Sequence, residues 1–448
     1  MKQTLLFAFA LIGTGMYAQE HFSGINTSRR TGLLNATINP AELVNMKHDY
    51  DINVFSFSAN IANNKVTFGD LTGGSDKNFE DMLFAGSDPV DLRADVEILG
   101  PAFGFKFDKW AFAVTTGAKI RADIVEVNTA LGRALTSGVN DITEVSEILA
   151  NYNQRTSATT WGEIGFSAAR ELYNSEEHKF SGGVTFKLLF PGSYANISAS
   201  NFSGTVRNNF GDVDLVDASA NVNVAYSGSL ANDFTDSSNF TKFFAGGLNG
   251  FSADIGVDYQ WKDTEYGGYK LNAGLAVRNL GSMTFKDDNN VSRNYTLLVP
   301  DGEALDLNQF ENVDDLTELE EILLANPEYF TAQQAMRDFK VKLPAMLSAY
   351  ADVKLYNNWF ATAYLQQKMK DDSDDKQIAL QNIITVTPRF STDSFEAYAP
   401  LSHNEISGFT AGIGVRIGGF FIGSGSILSA AVSDTDQADA YMGFRFGF

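Results

Sequence analysis

The chain has 448 residues, 33 basic against 55 acidic, a formal charge of −22 and no Cys. The absence of thiols excludes disulfides, thiolate metal sites, a cysteine nucleophile and a lipid-anchored N-terminal Cys. The acidic balance excludes the basic footprint of a nucleic-acid binder, so no nucleic-acid partner is expected.

Taken in order, the chain begins with Lys2, an apolar run from Leu5 to Ile12, and small residues up to Ala18. This pattern predicts a secretory signal peptide over 1–18, cut after Ala18, although Met16 at the −3 position leaves the site of the cut open. No later apolar run reaches the ~18 residues of a membrane helix. Export without a helical anchor leaves the periplasm, the outer membrane or secretion. Residues 19–49 are not strand-like and carry Arg29-Arg30 and Asn39-Pro40-Ala41-Glu42-Leu43. From residue 50 onward the chain alternates in twos. Trp110, Phe112, Val114 and Ile120 oppose Lys119 and Arg121. Phe180, Val184, Phe186 and Leu188 oppose Ser181, Thr185 and Lys187. The clearest stretch is 250–280. There Phe251, Ala253, Ile255, Val257, Tyr259 and Trp261 share one face, and Ser252, Asp254, Gly256, Asp258 and Gln260 share the other. After a polar turn Tyr269, Leu271, Ala273, Leu275 and Val277 oppose Lys270, Asn272, Gly274, Ala276 and Arg278. Successive strand side chains point to opposite faces, so this is a hairpin with one apolar and one wet side. Its arms approach the ~9–11 residues that cross a bilayer at a tilt. Its charged face suits the polar interior of a membrane barrel.

Two features resemble known families. Asn39-Pro40-Ala41, shortly after a signal peptide and ahead of a long barrel, resembles the N-terminal plug segment of the FadL/PorV class of outer-membrane barrels. The hairpin, with Asp254, Gly256, Tyr259 and the ending Asn279-Leu280-Gly281, is similar to a Bacteroidota outer-membrane family of unknown function. The first resemblance implies a plug formed by Asn39, Pro40 and Ala41. It also implies one of two roles: passage of a hydrophobic or amphipathic solute, as in FadL, or attachment within a surface-secretion assembly, as in PorV. The Gly that often follows this tripeptide in fatty-acid transporters is missing here. Read from the residues alone, Asn39-Pro40 is also compatible with an ordinary turn.

The same period continues. Leu347, Ala349, Ala351 and Val353 oppose Ser348, Asp352 and Lys354, and Phe409, Ala411, Ile413, Val415 and Ile417 oppose Thr410, Gly412, Gly414 and Arg416. Met442, Phe444, Phe446 and Phe448 end the chain on one face, resembling the tail by which barrel assembly machinery recognises its clients. With Phe448 at the periplasmic side, the tight turns at 108–109, 173–178, 262–268, 356–358 and 418–419 gather at that end. The long connections gather at the other end, as outer-membrane barrels require. Two segments, 141–149 and 315–323, each open on Asp with early acids and an apolar stripe, and are expected as short amphipathic helices in outer loops. The pair is read either as rim packing or as a lid over the mouth. The carboxylate run 371–375 is expected as a solvated loop tip, with contact to lipopolysaccharide through divalent ions as the other reading.

No metalloprotease, phosphate-loop or nucleophile-elbow motif is present. His403 with Ser402 is too little for a catalytic constellation. No enzyme, no cofactor and no metal site are therefore expected. A charge facing lipid at the midplane costs ~2–4 kcal/mol for Arg or Lys, so Asp254, Asp258, Lys270, Arg278, Asp352, Lys354 and Arg416 are expected on the lumen side. Their roles are read either as salt bridges stiffening the barrel or as a solute path. The overall expectation is an all-β transmembrane antiparallel barrel of about 14–16 strands over 50–448. It carries a plug-like segment at 19–49 and helical outer loops, and sits in outer-membrane lipid and lipopolysaccharide.

Overall fold

The computed structural model describes residues 21–448, apart from 73–78, 137–144, 210–211, 232–236, 287, 311–312, 314 and 433–434. The strands, in chain order, are β1 (Tyr50–Asn63), β2 (Val90–Leu99), β3 (Ala102–Phe107), β4 (Trp110–Val127), β5 (Ser146–Asn174), β6 (His178–Asn209), β7 (Asp212–Ser227) and β8 (Gly250–Lys262). Then come β9 (Tyr269–Phe285), β10 (Val291–Val299), β11 (Leu305–Asp306), β12 (Phe330–Ala332), β13 (Phe339–Lys342), β14 (Met346–Tyr356), β15 (Trp359–Lys368) and β16 (Ile383–Ser391). The last are β17 (Phe395–Tyr398), β18 (Leu401–Asn404), β19 (Gly408–Ala411), β20 (Ile413–Ile417), β21 (Phe420–Ser424) and β22 (Gln437–Gly447).

All named strand pairs are antiparallel and close into a ring of about 14 wall strands. β2 with β3, β13 with β14, β17 with β18, and β19 with β20 each act as one wall strand interrupted midway. Pro101, Pro344 and Pro400 sit at three of those interruptions, where a residue without an N–H does least harm to a ladder. β22 pairs with β1 and shuts the ring. Phe448 and Tyr50 exchange both backbone bonds at 3.1 Å, and their rings stack 5.3 Å apart. The tight turns begin at Asp108, Asn357 and Gly418, all with positive φ (54°, 45° and 58°). That is the backbone a twisted two-residue hairpin needs and the residue types that tolerate it. These turns and the C-terminus share one end of the barrel, the short-turn end; the long connections share the other.

The inside and outside are reversed relative to a soluble protein. Phe166, Val184, Phe251, Ile255, Ile384 and Phe409 are exposed on the outer face, while Arg155, Arg389, Arg416 and Arg445 are among the most deeply buried side chains. Only a lipid environment makes that arrangement stable, so this is a β-barrel membrane protein. No helix among the described residues is long and apolar enough to cross a membrane.

The wall divides at β6. Up to Leu189, β6 pairs with β8; from Tyr194 onward it pairs with β7, which carries β10 and then β12 away from the ring. This side sheet, with β5 and β6, encloses an apolar core at the long-loop end. The Leu316–Ala325 helix packs into that core through Leu316, Leu319 and Leu323. Asp315 caps the helix by accepting from the Glu318 N–H at 2.7 Å. The helix expected at 141–149 is corrected. Residues 141–144 lie outside the described residues, and Ser146–Leu149 belong to β5, paired with Val206–Ser203 of β6. Ile148 turns into the apolar core while Leu149 turns out, so strand alternation wins over the helical spacing.

Candidate functional site

The lumen is crossed by two segments that belong to no wall strand. The first is 21–49. Phe22, Ile25, Leu33, Leu34, Ile38 and Leu43 are all nearly inaccessible, surrounded by the inward faces of the strands. Its local structure follows from Asn39-Pro40. Asn39 caps the Pro40–Asn45 turn of 3-10 helix, its side chain accepting from the Ala41 N–H at 3.0 Å, and Pro40 supplies the fixed φ of a first helical residue. The Asn39 amide also donates to the Val257 carbonyl at 2.8 Å and to the Tyr350 hydroxyl at 3.3 Å.

Three glycines on adjacent strands make room for this turn. A Cβ on Gly183 would lie 2.5 Å from Ala41 N and Pro40 C; one on Gly256 or Gly274 would run into the Asn39 side chain. The glycines form a groove across β6, β8 and β9, and the Asn39-Pro40-Ala41 backbone lies in it. Glycines on the wet face of the hairpin were the available signal for that groove.

Below the groove, Tyr350 Oη lies 2.5 Å from Glu42 Oε1 and 2.8 Å from Asp258 Oδ2. Asn45 donates to Asp258 at 2.6 Å, and Asn272 donates to Glu42 at 2.7 Å. Arg278 reaches the Thr37 carbonyl at 3.0 Å and is held by Ser348, Tyr364 and Gln366. Asp254 pairs with Lys187 at 2.8 Å. Asp352 accepts from Tyr269 and Thr362, each at 2.6 Å, and meets Arg389 at 3.5 Å. Arg416 meets Glu396 at 3.7 Å near the short-turn end, and Lys354 pairs with Asp263 at 2.5 Å on that rim.

Lys270 is a correction. A bulge, with Trp261 opposite Leu271 but Lys262 opposite Tyr269, reverses the facing there. Tyr269 takes the inward place, and Lys270 lies outside, over the Trp261 ring at 5.3 Å. Ser402 and His403 face opposite ways: Ser402 is buried against Thr385 while His403 is exposed.

Sequence reasoning missed Arg389, Arg445, Glu396, Tyr441 and His21. Arg389 donates to the carbonyls of Gly24 and Thr27, both at 2.7 Å; Arg445 donates to the Arg30 carbonyl; Tyr441 donates to the Ser23 carbonyl at 2.7 Å. Glu396 accepts from Ser28 at 3.1 Å. Arg445 alternates with Phe444 and Phe446, which was the readable hint that it faces inward.

The second crossing segment is the β15–β16 connection: Asp371, Ser373 and Asp374 are exposed, as a solvated tip is, and the chain turns inward from Asp375. The connection folds inward. Asp375 accepts from Asn153 and Ser198 on the opposite wall, each at 2.6 Å. Arg155 donates to the carbonyls of Asp374 (2.6 Å) and Gln377 (2.7 Å), and Arg121 to that of Ala379 (3.1 Å). Ile378, Ala379 and Leu380 are buried.

Between the two segments lies a chamber of about 110 Å³. Phe22, Ile38, Leu380 and Ile383 supply an apolar side. Ion pairs supply the other: Lys119 with Glu97 at 3.2 Å, Lys187 with Asp254, and His21 with Asp95 at 2.8 Å. Trp161 also lines the chamber; it is 2% exposed, and its indole N–H has no acceptor.

Residues 40–425 match the model of DUF5723, a family of unknown function, and the chain belongs to that family. No match to a curated protein was found. Among solved structures, the Pseudomonas putida toluene transporter TodX is similar at 10% identity, covering 93% of this chain and 94% of that one, with a TM-score of 0.42. The Ralstonia pickettii toluene transporter TbuX gives 11%, 95%, 96% and 0.41. A Pseudomonas aeruginosa FadL homologue gives 9%, 96%, 97% and 0.41. At these identities and scores the likenesses say nothing about cargo.

Proposed function

We propose that this DUF5723 barrel sits in the outer membrane, its short-turn end periplasmic, and passes an amphipathic solute through a lumen closed at rest. The observation that carries this reading is the chamber. Its lining is part apolar and part polar with ion pairs, and both its covers are crossing segments, not wall strands. Covers of that kind can shift without opening the ring, and mixed lining matches a solute with an apolar body and a charged head.

The second reading is a non-transporting attachment role in a surface-secretion assembly. It is favoured by how firmly 21–49 is tied: Arg389, Arg445, Arg278, Tyr441 and Tyr350 all bond it from the wall. Deleting the gene and assaying long-chain fatty-acid uptake alongside surface-protein secretion separates the two. Passage requires that uptake falls and is restored by the intact chain. Unchanged uptake, with lost secretion and a partner co-purifying from solubilised envelope, removes it in favour of attachment.

A further inference from the structure

At the short-turn end, beneath 21–49, a recess opens that the chamber does not use. Its lining contains Arg29, Arg30, Lys47, Lys179, Lys262 and Arg416 against one acid, Asp393. In a chain where acidic residues outnumber basic ones 55 to 33, that concentration needs a reason. The cations come from the inner segment (Arg29, Arg30, Lys47), from β6 and β8 (Lys179, Lys262) and from β20 (Arg416), so several elements converge on one space.

Their present partners leave binding capacity unused. Arg29 lies over the Phe360 ring at 4.0 Å, and its Nε is buried without an acceptor. Arg30 and Arg416 are 7% and 1% exposed and each is paired with a carboxylate, so they add to the field behind the recess without facing its mouth. Among the described residues Lys262 donates to neutral oxygens, those of Asn174 and the Ser175 carbonyl. Lys47 is held at 2.5 Å by Asp393, whose side chain is 93% exposed, so an incoming carboxylate can replace that partner at little cost. Neutral amides stand between the cations: Asn45, Asn174, Gln260 and Asn358. An adjoining recess carries Asp49, Asp108 and Glu171 together with Lys106, and its Glu171 pairs with Lys179 at 2.9 Å, which leaves Arg29, Lys47 and Lys262 as the cations open to a ligand.

We propose that this recess is a docking site for an acidic peptide segment presented from the periplasm. A single small anion meets two or three of these cations. An extended chain with several carboxylates meets more of them, and its backbone suits the interleaved amides. The docked segment would contact Arg29 and Lys47 directly, and so bear on the same inner segment that closes the chamber.

The test uses the full mature protein in nanodiscs, with hexaglutamate as probe and hexaserine and inorganic phosphate as comparisons. Hexaglutamate is expected to bind, to weaken with salt over the range in which a ~10 Å screening length shrinks, and to slow amide exchange across 25–48. Arg29→Gln with Lys262→Gln is expected to weaken binding about 100-fold, the loss of two charge-assisted contacts at about tenfold each. Heat-modifiable migration of each variant verifies that the barrel has formed. The proposal is overturned if hexaglutamate binds no better than hexaserine, or equally to the double variant. Phosphate matching hexaglutamate overturns the peptide assignment and leaves a small-anion site. Neither outcome bears on solute passage, which is read in a separate uptake assay.

Discussion

The glycine groove gives a prediction whose size follows from the structure. In Gly256→Ala the new Cβ would occupy the space of the Asn39 side chain and sit 3.1 Å from Ala276 Cβ. Asn39 must then leave, giving up its bonds to Val257 O and Tyr350 Oη and its cap on Ala41 N. At about 1 kcal/mol net for each bond the loss is about 3 kcal/mol, which raises the undocked population of the turn about 100-fold. The wall is untouched, since β8 keeps its ladder to β6 and β9. Hydrogen exchange in nanodiscs reads this directly: amides of 33–46 should exchange faster while those of β8 do not. Asn39→Ala removes the same bonds without the overlap, so the double variant should add little to either single one. Wild-type exchange across 33–46 in Gly256→Ala would refute the close approach on which the groove rests.

Four further outcomes are expected. Asp375→Ala removes the acceptor of Asn153 and Ser198 and should loosen the inward-folded connection, raising single-channel conductance. Burial raises the Asp374 carboxyl, but hydrogen bonds from Lys342 and the Lys376 N–H outweigh it, so its pKa lies below the usual value. A depressed acid stabilises above its unfolded pKa of ~3.9, so the Asp374–Lys342 pair should protect the neighbouring amides from neutral pH to about 4 and lose that protection below, as exchange at stepped pH would show. Deleting 315–336 should leave conductance unchanged, because that helix packs into the apolar core beside β7 and β10, whereas Leu380 and Gln381 line the lumen chamber. Removing Phe448 takes away both its backbone bonds to Tyr50 and should lower the yield of heat-modifiable barrel.

The wall was legible because lipid on one side and a wet lumen on the other impose strict alternation, which a sequence displays residue by residue. Asp254, Asp258, Arg278 and Arg416 were placed inward by that rule alone. Lys270 broke it through a bulge, which changes facing without changing composition. What occupies the lumen was less legible. Glu42 meets Tyr350 and Asn272, residues hundreds of positions away, and nothing local announces such partners. The run 371–375 is exposed at Asp371, Ser373 and Asp374, as its charge suggests; what charge alone does not show is that Asp375 and the residues after it are drawn inward to Asn153, Ser198 and Arg155.

A common device holds both crossing segments. Irregular backbone at membrane depth has carbonyls that no ladder satisfies. Here arginines on the wall supply the donors: Arg389 for Gly24 and Thr27, Arg445 for Arg30, Arg278 for Thr37, Arg155 for Asp374 and Gln377, Arg121 for Ala379. A guanidinium reaches two carbonyls and a carboxylate together, as Arg389 does with Gly24, Thr27 and Glu396. An ammonium has one nitrogen and cannot span them. Arg389→Lys therefore keeps the charge opposite Asp352 and Glu396 but forfeits about two bonds, roughly 2–4 kcal/mol of docking for 22–30. Because charge is preserved, an electrostatic role would leave the Lys variant close to wild type. The carbonyl role predicts that exchange across 22–30 rises nearly as much in Arg389→Lys as in Arg389→Gln, and that comparison decides between them.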